Sequence, residues 1–81
     1  QAFLFTYYVR LATAANKSEA KDIVHQLPEQ YKKLAKAVKV YNESFYYINI
    51  GPFISQETAE EAIQILKKNY PLAHLIKKKD N

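Results

Sequence analysis

The feature that most constrains what this chain can fold into is an internal repeat. Displaced by 39 positions (46 − 7), the segment YYVRLATAANKSEAKDIVHQLPEQY from Tyr7 to Tyr31 falls without a gap on YYINIGPFISQETAEEAIQILKKNY from Tyr46 to Tyr70. Identities are few: Tyr7/Tyr46, Tyr8/Tyr47, Ala20/Ala59, Leu27/Leu66 and Tyr31/Tyr70. The apolar pattern carries the match. Val9 and Leu11 fall on Ile48 and Ile50, while Ala20, Ile23, Val24 and Leu27 fall on Ala59, Ala62, Ile63 and Leu66. With only 81 residues, a second hydrophobic core would have nothing to bury. The whole of 1–81 is therefore expected to be a single domain, with half-repeats at about 7–31 and 46–70.

Each half changes period partway along. Val9 and Leu11 alternate with Tyr8 and Arg10, and Ile48 and Ile50 with Tyr47 and Asn49, which predicts strands with one buried face. The following apolar residues recur at i, i+3, i+4 and i+7, which predicts a helix with a single apolar stripe. Asn16 with Glu19 is a capping-box variant for the first helix. Ser55 can cap the second, with Glu57, Glu60 and Glu61 toward its positive end and Lys67 and Lys68 toward its negative end. Pro28 and Pro71 end the helices, and Gly51-Pro52 supplies the strand-to-helix turn of the second half. A further strand is expected after each helix, at Ala37–Tyr41 (AVKVY) and at Leu72–Lys77 (LAHLIK), with a short hairpin turn at Asn42-Glu43. The order is β-α-β-β-α-β, a split β-α-β arrangement. The expected fold class is α+β: a ferredoxin-like or RNP-like two-layer sandwich, with a four-stranded antiparallel sheet and two helices on one face. The tail 77–81 is expected to fray.

Composition bounds the chemistry. An apolar fraction of 48% with 25% charged residues is ordinary for a folded chain. The absence of cysteine removes disulfides, thiolate metal sites and cysteine nucleophiles. The net charge of +4 favours an anionic or polar partner, although it also serves solubility. No apolar run approaches the roughly 20 residues that span a bilayer, and no signal-peptide pattern opens the chain. Beginning at Gln1 inside an apolar stretch, the chain is expected to be a domain excised from a larger protein.

Catalysis needs convergent groups of matched pKa, and His25 and His74 offer no such pair. There is no H-E-x-x-H spacing, and one glycine cannot build a phosphate-cradling loop. No enzyme, cofactor or metal is expected. The open sheet face is more informative. With Val9, Leu11, Val38, Val40, Ile48 and Ile50 turned to the helices, period two sends Tyr8, Arg10, Lys39, Tyr41, Phe45, Tyr47 and Asn49 outward. Rings beside an amide and cations make a stacking platform for flat ligands. RNA-recognition modules use this strand-helix order, but SFYYINIGPF does not match their third-strand signature, K/R-G-F/Y-G/A-F-V-x-F/Y. Sugar polymers are the other ligand class, since a pyranose presents a C–H face to a ring.

The second half resembles a known family. A strand ending in Ile48-Asn49-Ile50-Gly51-Pro52-Phe53, then a capped helix with Ala59, Ala62 and Leu66, resembles the SPOR domain, the sporulation-related repeat of bacterial envelope proteins. The resemblance implies a non-catalytic module that binds peptidoglycan glycan strands stripped of stem peptides, at division or sporulation sites, through the open sheet face. It implies a location in the cell envelope, periplasmic or extracytoplasmic. Where the family commonly reads V-Q-x-G-S-F, this chain reads Val9-Arg10-Leu11-Ala12-Thr13-Ala14, leaving Arg10 and Thr13 as hydrogen-bonding groups. Phe45 and Tyr47 match the family's aromatic positions around the third strand. The expected glycan-binding set is therefore Tyr8, Arg10, Thr13, Lys39, Tyr41, Phe45, Tyr47 and Asn49, with Arg10 or Lys39 meeting the lactyl carboxylate of muramic acid. Alternatives are a protein–protein interaction module of an envelope or divisome complex with the same fold, or an RNP-like RNA binder; nucleic acid is not the expected partner.

Overall fold

The computed structural model describes residues 4–80. In chain order the elements are β1 (Phe5–Ala14), α1 (Lys17–His25), α2 (Glu29–Lys32), β2 (Ala35–Lys39), β3 (Tyr46–Phe53), α3 (Gln56–Leu66) and β4 (His74–Lys79). The four strands form one antiparallel sheet in the order β2-β3-β1-β4. The two halves interleave: β3 lies between β1 and β2, and β1 lies between β3 and β4. This is the expected α+β, ferredoxin-like arrangement, with the helices packed on one sheet face.

The helices start where the sequence places their caps. The Asn16 side chain accepts from Glu19 N–H at 2.9 Å, and Ser55 Oγ accepts from Thr58 N–H at 3.2 Å, satisfying donors that a helix start leaves unpaired. Between the layers lies the core. Val9, Leu11, Ile48 and Ile50 project from the two central strands and meet Ala20 of α1 and Ala59, Ala62, Ile63 and Leu66 of α3. Alanines at 20, 59 and 62 let the helices sit close to the sheet. Leu27, just past α1, and Tyr31 on α2 close that end of the core.

Two bulges break the β1–β3 ladder. Leu11 and Ala12 together oppose Ile48, and Gly51 and Pro52 intervene between the pairs Val9↔Ile50 and Tyr7↔Phe53. The first bulge changes the parity of β1, so that Thr13 pairs with Tyr47 on the open face and Ala14 turns into the core.

Three expectations change. The strand after α1 is Ala35–Lys39 rather than Ala37–Tyr41, and its phase is inverted. Ala35 and Ala37 pair with the buried Ile50 and Ile48, whereas Val38 pairs with Tyr47 and is 43% exposed. The chain is pinned early: buried Tyr31 anchors α2, and Gly51 N–H donates to Leu34 C=O at 3.1 Å. The last strand runs His74–Lys79 instead of Leu72–Lys77. The expected frayed tail is thus paired through Lys79: Lys77, Lys78 and Lys79 lie opposite Tyr7, Thr6 and Phe5. The Lys77 ammonium sits 4.0 Å above the Phe5 ring, and Thr6 Oγ1 lies 2.8 and 2.9 Å from the Asp80 carboxylate oxygens. Asn81 is outside the described residues.

Candidate functional site

With the helices on one side, the other sheet face is left uncovered, and the ladder decides which side chains it carries. Cross-strand partners in an antiparallel sheet share a face. One row across the sheet therefore reads Lys36, Asn49, Arg10, and the next reads Val38, Tyr47, Thr13. Toward the other end lie Tyr8 opposite Ile76, and Thr6 opposite Lys78.

The centre of this face is a packed polar and aromatic cluster. The Arg10 guanidinium lies 3.8 Å above the Tyr47 ring, a cation–π contact, while its Nε–H donates to Asn49 Oδ1 at 3.2 Å. Phe45 meets the same tyrosine edge to face, with centroids 5.8 Å apart at 81°. Arg10 is thus held by two partners through its Nε–H and its contact with the ring, and its guanidinium carries four further N–H donors.

Beside the cluster runs a groove of about 330 Å³, lined by Tyr8, Arg10, Leu34, Lys36, Val38, Asn49, Gly51, Pro52, Ile76 and Lys78. The Tyr8 ring rests on Gly51, where a Cβ would come within 2.7 Å of Tyr8 Cδ2. Gly51 also has φ +146°, a conformation that side-chain-bearing residues rarely adopt. Three cations and no carboxylate stand among the described lining residues.

Of the eight residues expected from sequence, Tyr8, Arg10, Thr13, Phe45, Tyr47 and Asn49 lie on this face or at its rim. Lys39 does not join them. Its ladder partner is Tyr46, on the helix side, because the phase of β2 is opposite to that expected. Tyr41 stands in the β2–β3 turn, 94% exposed and outside the ladder. Lys36, Val38, Ile76 and Lys78 were missed. The first two needed the phase of β2, and the last two needed the register of β4 against β1. Both histidines are exposed, and His74 Nδ1 lies 2.9 Å from Leu72 C=O. Among the described residues no three His, Asp or Glu side chains converge as a metal site requires.

The SPOR domain family model matches residues 5–77, nearly the whole chain. The chain belongs to the SPOR domain family. SPOR domains are non-catalytic, peptidoglycan-binding modules of cell-envelope proteins. No curated protein and no solved structure matches this SPOR domain. Its Gly51-Pro52-Phe53 segment forms the end of β3 rather than the expected strand-to-helix turn, the glycine giving room to Tyr8, and its open face carries Arg10, Tyr47 and Asn49 at the centre. No helix among the described residues is long and apolar enough to cross a membrane.

Proposed function

We propose that this SPOR domain acts as one binding module that takes peptidoglycan glycan strands on its open sheet face, within the cell envelope and outside the cytoplasm. The observation that carries the reading is the groove beside the Arg10–Tyr47–Phe45 cluster: ring faces and cations on an otherwise uncovered surface, with no carboxylate in the lining. A pyranose C–H face packs against Tyr8 or Tyr47, and Arg10, held by Asn49, meets the acceptor oxygens of the sugar. Thr13 and Phe45 extend the surface at the Tyr47 end. A single shallow site of this kind is weak, and affinity accumulates along a repeating polymer.

The test is co-sedimentation of the purified domain with peptidoglycan sacculi before and after amidase treatment. Binding to sacculi, strengthened once stem peptides are removed, is the expected result. A domain that ignores both preparations is instead an envelope protein-interaction module, and one that prefers homopolymeric RNA, with affinity falling steeply in salt, is a nucleic-acid binder.

A further inference from the structure

The groove has a cation at each end. Lys36 on edge strand β2 and Lys78 on the opposite edge strand β4 line the same depression, with Tyr8 and Pro52 between them. Their backbones are separated by three strand spacings across the sheet and four residues along it, on the order of 20 Å. Flexible side chains reaching inward shorten that span. Among the described residues neither lysine's ammonium group has a hydrogen bond or an ion pair. Arg10, by contrast, is already engaged by Asn49 and Tyr47. Two unpaired ammonium groups on opposite edge strands, lining one groove whose described lining holds no carboxylate, describe a two-point reader of negative charge.

We infer that Lys36 and Lys78 are specificity-determining residues, each meeting a lactyl carboxylate on a separate muramic acid of one glycan strand. The inference rests on the glycan-binding reading above and specifies how the strand is recognised. An amide-linked stem peptide removes the charge at that carboxyl group, so the two lysines favour bare glycan by charge. They also favour strands long enough to present two carboxylates at once. Exposed ion pairs are individually modest, so both contacts are needed for a usable preference.

The experiment measures binding of the domain to a peptide-free peptidoglycan tetrasaccharide carrying two lactyl carboxylates, to the same tetrasaccharide with its carboxyl groups reduced to alcohols, and to the corresponding disaccharide. Lys36→Gln and Lys78→Gln should each weaken tetrasaccharide binding by about three- to fivefold, the contribution of an exposed ion pair, and the double variant by about tenfold. The variants should bind the reduced tetrasaccharide as the parent does, and that binding should be weak. Lys39→Gln, the same charge change on the opposite face, should leave every affinity unchanged, and all variants should melt like the parent. Equal binding of charged and reduced tetrasaccharide, a disaccharide bound as tightly as the tetrasaccharide, or a loss in Lys39→Gln equal to that in Lys36→Gln overturns the inference and leaves glycan binding standing. Failure to bind any of the three sugars overturns the inference, and failure to co-sediment with sacculi as well removes both readings.

Discussion

A pleated strand turns successive side chains to opposite sides, and in β3 this sets Tyr47 beneath the Arg10 guanidinium while Ile48 is fully buried. Tyr47→Ala should therefore weaken sacculus binding by about 1 kcal/mol, the contribution of one aromatic contact, and leave the fold intact. Ile48→Ala should do the reverse, lowering stability by roughly 2–5 kcal/mol as a buried aliphatic side chain is lost. Thermal melts and sedimentation on the same two proteins check both. Greater destabilisation by Tyr47→Ala would mean that the binding face is the core. Gly51 links the two sides differently, since the Tyr8 ring occupies the space a methyl group would need. Gly51→Ala combines that 2.7 Å clash with a backbone conformation nearly exclusive to glycine, and should lower stability by about 1–3 kcal/mol. Because Tyr8 lines the groove, the same variant should also bind sacculi more weakly at temperatures where it remains folded.

Among the elements, α3 carries the most complete apolar stripe: Ala59, Ala62, Ile63 and Leu66 are all buried. Leu66→Ala should cost roughly 2–5 kcal/mol, a large share of the stability of so small a domain. Ser55→Ala, which removes the acceptor for Thr58 N–H, should cost about 1 kcal/mol. The edge strand β2 behaves differently. Val38 stands on the open face beside Tyr47, so Val38→Thr should change the melting free energy by no more than about 0.5 kcal/mol, as surface substitutions do. A loss of several times that amount would return Val38 to the core. The strand illustrates why some elements are hard to read: AVKVY alternates, but an edge strand buries neither face fully, so its pattern fits two phases. The short helix α2 is harder still, because four residues are too few for a period to register, although its Tyr31 is buried.

For the molecule as a whole, β1 is central, pairing with β3 on one side and β4 on the other. Deleting residues 74–81 strips one of its two partners and uncovers Val9, so the truncated chain should lose its cooperative thermal transition, followed by circular dichroism. The amino-acid sequence by itself determined the repeat, the order of the strands and of the two longer helices, the capped helix starts and the buried residues of β1, β3 and α3. It could do so because burial on one side imposes a strong period on those segments. It also turned Tyr47, Arg10 and Asn49 outward, onto the open face. The tertiary structure alone decided the phase of β2, the extent of β4 and the two bulges in the β1–β3 ladder. Each of these depends on which residue lies opposite which across long loops, and cross-strand pairing leaves no periodic trace in a half-exposed strand. The groove ends at Lys36 and Lys78 were therefore hidden in the sequence: they become neighbours of one surface only when β2 and β4 are laid against opposite sides of the β3–β1 pair.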